Sequence, residues 1–166
     1  MASCSLVLEG TRIETVRPAT PGDVPTLVAL MGEFYAESGY PLPAEAATRA
    51  FAALLGDPRL GAAWILEADG EPAGHVVLTV SFSMEYGGLR GFVDDLFVCA
   101  ACRGRGLAAM GLAALRAEAE ARGVRALLVE TDGGDERAQR VYRRAGFAAC
   151  DHLLLTLPLA DPVHRG

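Results

Sequence analysis

The sequence predicts a single α/β domain, α+β in its mix of elements, with a mixed and mostly antiparallel central sheet flanked by about four helices. Three observations carry that expectation. The chain has 166 residues, enough for one core and little more. Hydrophobic residues make up 51% and charged residues 22%, so a core can form and wholesale disorder is excluded. Short strand-like runs follow one another in hairpin succession before a helical crossover, so the sheet is expected to be mixed rather than fully parallel. With no repeat and no linker, residues 1–166 read as one unit whose core spans about 11–159.

The elements are justified in order. Ile13-Glu14-Thr15-Val16-Arg17 alternates and predicts a strand, closed by Pro18 and Pro21. Asp23 is suited to cap a helix whose apolar stripe, Val24, Leu27, Val28, Leu30, Met31 and Phe34, runs to about Ser38. Gly39-Tyr40-Pro41-Leu42-Pro43 breaks it. A second helix is expected over 44–55, stopped by Gly56-Asp57-Pro58. Strands over 63–67 and 74–80 flank the tight turn Asp69-Gly70. Gly87-Gly88 turns into another strand over 92–98. An Ala-rich helix over about 106–121 stops at Gly123, and 125–130 reads as a buried-type strand. Asp135 begins a further helix ending at Ala145-Gly146, and 147–158 is expected to supply one or two closing strands.

Charge narrows the function classes. The net charge is −6, which argues against general nucleic-acid binding by phosphate neutralisation. No apolar run approaches the roughly 18 residues of a membrane span, and Met1-Ala2-Ser3-Cys4-Ser5 does not resemble a signal peptide. The expectation is a cytoplasmic protein with neither a nucleic-acid nor a membrane partner. The charge is also uneven: residues 1–98 hold five Arg against 13 Asp/Glu, whereas residues 99–166 hold ten Arg against eight. One half is suited to a cation and the other to an anion.

Four cysteines, Cys4, Cys99, Cys102 and Cys150, do not suggest a disulfide framework in a chain of this size whose start does not resemble a secretory signal. Cys99-Ala100-Ala101-Cys102 has the spacing of a redox pair. A zinc site would need two further ligands, and no second C-x-x-C or H-x-x-x-H is present, so no metal is expected. His75, His152 and His164 have no Ser, Cys or carboxylate at motif spacing, and no G-x-S-x-G occurs. His75 reads as a strand residue.

The most informative stretch is Val93-Asp94-Asp95-Leu96-Phe97-Val98, followed by Cys99 to Cys102 and then Arg103-Gly104-Arg105-Gly106-Leu107-Ala108-Ala109. A strand feeds a Gly/Arg loop that opens a helix. Gly104 and Gly106 free the backbone, the first-turn N–H groups face outward, and two arginines add positive charge. This is a phosphate cradle. Read as G-x-G-x-x-A, with Glu130 ending the next strand, it matches a dinucleotide fingerprint. Against that reading stand the five residues between Val98 and Gly104, two adjacent carboxylates on the feeding strand, and too short a remainder for a second half-fold.

Read as R-x-x-G-x-A, the same residues resemble the pyrophosphate signature [QR]-x-x-G-x-[GA] of the GNAT family of acetyl-CoA-dependent N-acetyltransferases. Asp135-Glu136-Arg137-Ala138-Gln139-Arg140-Val141-Tyr142-Arg143-Arg144-Ala145-Gly146-Phe147 is similar to that family's N-x-x-A-x-x-x-Y-x-x-x-G-F segment. Asp135 departs from the usual Asn. The two motifs keep the family's order and separation, and the resemblance covers nearly the whole chain.

The resemblance implies acetyl transfer from acetyl-CoA to a primary amine by direct attack in a ternary complex. It assigns backbone groups of Leu96, Phe97 and Val98 to the pantetheine arm, with an oxyanion donor near Val98. It assigns Arg103, Gly104, Arg105, Gly106, Leu107, Ala108 and Ala109 to the pyrophosphate, with Asp135 and Ala138 as further cofactor contacts. Tyr142 becomes the general acid. For the base, Asp94 and Asp95 are both candidates, and neighbours on a strand point to opposite faces, so at most one faces the acetyl group. Asp94 aligns with the family's usual acid and is preferred. The first two helices and the loop 81–86 would line the acceptor side. There Glu33, Glu37, Glu45 and Glu85 suit a small cationic amine, and Phe34, Tyr35, Tyr40, Phe82 and Tyr86 supply apolar or cation–π surface. Homodimers are common in the family. The competing readings are a non-catalytic acyl-CoA-binding or sensing domain on the same fold and a thiol redox protein using Cys99 and Cys102.

Overall fold

The computed structural model describes residues 12–151 and 153–159; Cys4, His152 and His164, and the expectations placed on them and on the first five residues, lie outside that range. One five-stranded sheet runs in the order β1 (Glu14–Pro18), β2 (Gly61–Ala68), β3 (Glu71–Ser83), β4 (Gly88–Val98) and β5 (Leu127–Val129). The first four pair antiparallel, and β5 joins β4 in parallel. Among the described residues four α-helices accompany them: α1 (Val24–Ser38), α2 (Ala44–Gly56), α3 (Leu107–Ala121) and α4 (Glu136–Arg144). The mixed sheet and the helix count are those the sequence predicts.

The two-residue side-chain period of the strands sorts the core into two layers. Ile65, Val77 and Phe97 face α1 and α2, where Val24, Leu27, Leu30 and Phe51 cover them. Leu66, Val76, Leu78 and Val93 face the other way and meet Leu107, Leu112 and Leu115 of α3. Leu27, Ile65, Leu66, Leu78 and Leu115 are fully buried. Each such side chain contributes about 1.5–3 kcal/mol, which is what holds the sheet between its helices.

Three local features place the site. The β2–β3 turn at Asp69-Gly70 has both residues left-handed (φ 56° and 86°), as a tight hairpin requires. In the β3–β4 ladder Val77 stands opposite Asp95 and Leu78 opposite Val93, so Asp94 is the extra residue of a β-bulge. Finally, β5 pairs only with Gly91–Val93. Past Val93 the two parallel strands part, and the edge of β4 away from β3 has no strand partner over Asp94–Val98 among the described residues.

Three expectations need correction. Residues 147–151 and 153–159 form no strand. The run Leu153-Leu154-Leu155-Thr156-Leu157 does not alternate, and its leucines are 64–82% exposed, so apolar content alone misled. The β3–β4 hairpin is longer than predicted, because Phe82 pairs with Leu89 and Ser81 with Arg90 before the turn. Asp23 sits at the start of α1 without capping it. Its carboxylate accepts from the Thr20 backbone and hydroxyl at 2.8 Å and from both Arg17 Nη atoms, and Arg17 foremost holds its carboxyl far below the usual range.

Candidate active site

The strand β4 ends in a 3₁₀ turn, Ala100–Cys102, and the loop Arg103–Gly106 then opens α3. Gly104 and Gly106 are left-handed (φ 79° and 87°), and nothing lies within 4 Å of where a Cβ would stand. They supply the φ that L-residues resist, and the space above them is open. Gly106 is the N-cap of α3 and brings no side chain, so the N–H groups of the first turn are left for an anion.

Its two arginines divide their work. Arg103 donates through Nε to the Val98 carbonyl at 2.8 Å and pairs through Nη2 with Glu37 of α1, at the mouth of the cleft. Arg105 turns away: Nε donates to Glu14 at 2.6 Å, and Nη2 pairs with Asp69 at 2.9 Å. Its guanidinium fastens the loop to β1 and the β2–β3 turn, which leaves only its backbone for a phosphate. Nothing in the sequence distinguishes the two.

A cleft of about 1320 Å³ opens where β4 and β5 part, walled by α3, α4 and the end of α1. Tyr142 and every cofactor-binding residue expected from the sequence except Arg105 line it, and Asp94 does not; of the residues expected on the acceptor side, Phe34 and Glu37 reach it. Six arginines reach its walls, Arg103, Arg116, Arg125, Arg137, Arg140 and Arg144, against Glu37, Glu120 and Asp135. The excess suits a polyanionic ligand. Asp135 caps α4, accepting from the Ala138 N–H at 2.9 Å, so its carboxylate is already engaged.

Tyr142 projects from α4 into this cleft, half-buried, with its ring edge-on to Phe147 at 5.7 Å. Burial, then the charges of Asp95 and Asp135, push its phenol up to about 12. It therefore holds its proton at neutral pH. Asp94 reaches solvent at the bulge, yet the surrounding chain partly desolvates its carboxyl, and Asp95 and Glu130 add repulsion; all three raise its pKa. Tyr35 of α1 is buried beside the same carboxylates, its phenol pushed up to about 12 by burial, Asp95 and Asp94. Of the acids expected on the acceptor side, Glu37 is taken by Arg103, and Glu45 lies on the exposed face of α2 beside Arg49.

Sequence reasoning missed one group. His75 is fully buried, and its Nε2 lies 2.9 Å from Asp95 Oδ2. On paired strands a residue also meets the diagonal neighbour two positions along. Hairpin register read without the bulge sets Asp94 in that place, so no signal in the sequence finds the His75–Asp95 pair. The two cysteines fit a structural part. Cys102 N–H closes the turn on the Cys99 carbonyl at 3.0 Å, and a thiol hydrogen bond with Cys99, together with burial, pushes the Cys102 pKa up. A reactive thiol needs the opposite shift.

A parted parallel strand pair above a basic cleft, with an uncapped helix start at one end, is suited to an extended ligand that carries an anion at one end. The chain belongs to the acetyltransferase (GNAT) family, whose model matches residues 27–147. Among solved structures it is similar to an integron cassette protein from the mobile metagenome of Cole Harbour Salt Marsh, at 53% identity and TM-score 0.83, over 90% of this chain and 93% of that one. At 20% identity, the aminoglycoside N-acetyltransferase AAC(6')-Iy in complex with CoA shares the fold with TM-score 0.79, over 93% of this chain and 100% of that one. A predicted acetyltransferase with acetyl-CoA from Clostridium acetobutylicum does so with TM-score 0.74, also at 20% identity, over 87% and 96%. A comparison with curated proteins gives no match. Among the described residues no helix is long and apolar enough to cross a membrane.

Proposed function

We propose that the chain is an N-acetyltransferase that moves an acetyl group from acetyl-CoA to the primary amine of a small cationic acceptor. The observation that carries this reading is the parting of β4 and β5 above the basic cleft. The edge of β4 away from β3 has no strand partner over Leu96, Phe97 and Val98 among the described residues, and this edge, apart from the Val98 carbonyl that Arg103 holds, can take an extended amide-bearing arm as an added strand. At the far end, the loop from Gly104 to Ala109 and the Arg103 guanidinium face where its phosphates would lie.

Acetyl-CoA bound there supplies the acetyl group as a thioester. The chain's own residues then do four things. β4 and the loop hold the donor so that attack is effectively intramolecular. A backbone N–H near Val98 stabilises the carbonyl oxygen as charge develops on it. Asp94 takes the proton that the amine sheds as its nitrogen bonds to the carbonyl carbon, and its raised pKa brings it nearer to working pH. Tyr142 gives its proton to the sulfur as the C–S bond breaks, leaving amide and free thiol.

Asp94, Asp95 and the Tyr35 ring lie together on the acceptor side of β4, and no arginine neutralises either carboxylate among the described residues. That supports a cationic acceptor, as does the fold shared with an aminoglycoside N-acetyltransferase. The test is release of free thiol from acetyl-CoA across a panel of amines, with acetyl-CoA binding measured by calorimetry in parallel. Amine-dependent release supports the enzyme. Binding without release on any amine favours the acyl-CoA-binding alternative, and no binding removes both.

A further inference from the structure

On the face of the sheet turned toward α1 and α2 lies a histidine that the transfer scheme leaves unused. His75 is fully buried on β3, and its partner Asp95 is only 10% exposed at the side chain. Phe51 of α2 meets the imidazole edge-on, and Phe97 of β4 packs beside it, with ring centres 6.3 and 6.1 Å away. Nε2 stands 2.9 Å from Asp95 Oδ2, whereas Nδ1 is buried with no hydrogen-bond partner among the described residues. With Asp95 Oδ2 as the acceptor Nε2 donates, as the bonding pattern assigns it, and Nδ1 is then the bare nitrogen.

Packing does not account for this residue. A leucine or phenylalanine would fill the same space without leaving a polar atom unsatisfied, and an orphaned buried nitrogen is destabilising. The carboxylate accounts for it. Titratable groups face Asp95 from each element around it: His75 from β3, Tyr35 from α1, Tyr142 from α4 and Asp94 beside it on β4. Asp94 is faced by Asp95, by Glu130 beyond β5 and by Tyr35.

We propose that His75 is a positioning residue for the acetyl transfer: donating through Nε2, it fixes the Asp95 carboxylate beneath the β4 bulge, where it acts on Asp94 and Tyr142. This rests on the proposed N-acetyltransferase reading with Asp94 as base. A carboxylate held close to another makes that neighbour the stronger base, and Asp95 raises the pKa of Asp94. The bond from His75 keeps Asp95 in that place, and Asp94 takes the proton from the amine. His75 and Asp95 exchange no proton with the substrate.

The test compares wild type with His75→Gln, His75→Asn and Asp95→Asn, using one acceptor amine and reading kcat, the KM for acetyl-CoA and the pH profile. Gln carries its amide nitrogen near the place of Nε2, so kcat stays within about threefold and the acidic limb stays put. Asn is too short to reach, so kcat falls about tenfold with the KM for acetyl-CoA unchanged. Its acidic limb moves to lower pH, because Asp95, no longer held against the bulge, raises Asp94 less. Asp95→Asn reproduces both effects, and the double variant His75→Asn/Asp95→Asn is no worse than either single one. Equal rates and equal limbs for Gln and Asn overturn the proposal, as do losses that add in the double variant. Should His75→Asn fail to fold, Gln against Asp95→Asn decides: Gln must match wild type, and Asp95→Asn must show the shifted limb. A wild type that binds acetyl-CoA yet acetylates no amine overturns the proposed function as well. A wild type that transfers, with variants indistinguishable from it, overturns this inference alone.

Discussion

Replacing Tyr142 by Phe removes one oxygen from the cleft and keeps the ring. That ring makes the edge-on contact with Phe147 at 5.7 Å and packs on the α3 side of the core, so the variant should fold and melt like the wild type. Its phenol, pushed up to about 12, is protonated throughout the neutral range and available as a donor. A well-placed general acid contributes about 10²–10⁴ in rate. A thiolate is a better leaving group than an alkoxide, so the effect lies at or below the bottom of that range, and kcat should fall about tenfold to a hundredfold. The larger figure corresponds to about 2.7 kcal/mol on the barrier. Thiol release at saturating acetyl-CoA reads kcat, and its dependence on acetyl-CoA reads KM, which should hardly change. Wild-type turnover in Tyr142→Phe would refute the assignment and reduce Tyr142 to a packing residue.

Other substitutions separate structural from chemical parts. Arg105→Ala should lower the melting temperature through the lost pairs with Glu14 and Asp69 and leave the KM for acetyl-CoA near wild type, whereas Arg103→Ala should raise that KM. Gly106→Ala forces an L-residue to φ 87°, a cost of about 1–2 kcal/mol, and should raise the acetyl-CoA KM several-fold with kcat retained. At Gly74 a Cβ would stand 2.2 Å from the Phe97 carbonyl oxygen, so Gly74→Ala pushes β3 from β4 and should destabilise by about 1–3 kcal/mol in chemical denaturation. Asp94 gives a signed pH effect. Its folded-state pKa is raised, so the stability tied to its protonated form is present below the unfolded value and lost as pH rises through the folded one. Asp94→Asn should therefore melt higher than wild type at pH 7, with the difference vanishing in acid, and should lose activity.

Much of this was legible in the residues. The loop from Arg103 to Ala109 announced both its φ requirements and its charge, and Tyr142 fell on the cleft wall where the motif around it pointed. Direction was not legible. Which of Arg103 and Arg105 faces the cleft depends on Glu14 and Asp69, distant in sequence and adjacent only once β1 and the β2–β3 turn are paired. The bulge mattered more. With straight register His75 would stand opposite Leu96, and Asp94 would be its diagonal neighbour. The extra residue shifts the ladder so that Asp95 takes that place and Asp94 is turned out at the open edge. A one-residue irregularity exchanged the parts of two adjacent carboxylates, and no periodicity reveals it. The leucines after His152 failed differently, since a continuous apolar run fixes neither period nor partner.

The most direct test of the central claim is a mass measurement on a primary amine incubated with the protein and acetyl-CoA. The account predicts that the amine gains one acetyl group per thiol released, and that the gain depends on Tyr142 and Asp94. Thiol release with the amine's mass unchanged, or acetyl-CoA held intact beside every amine tried, would contradict it.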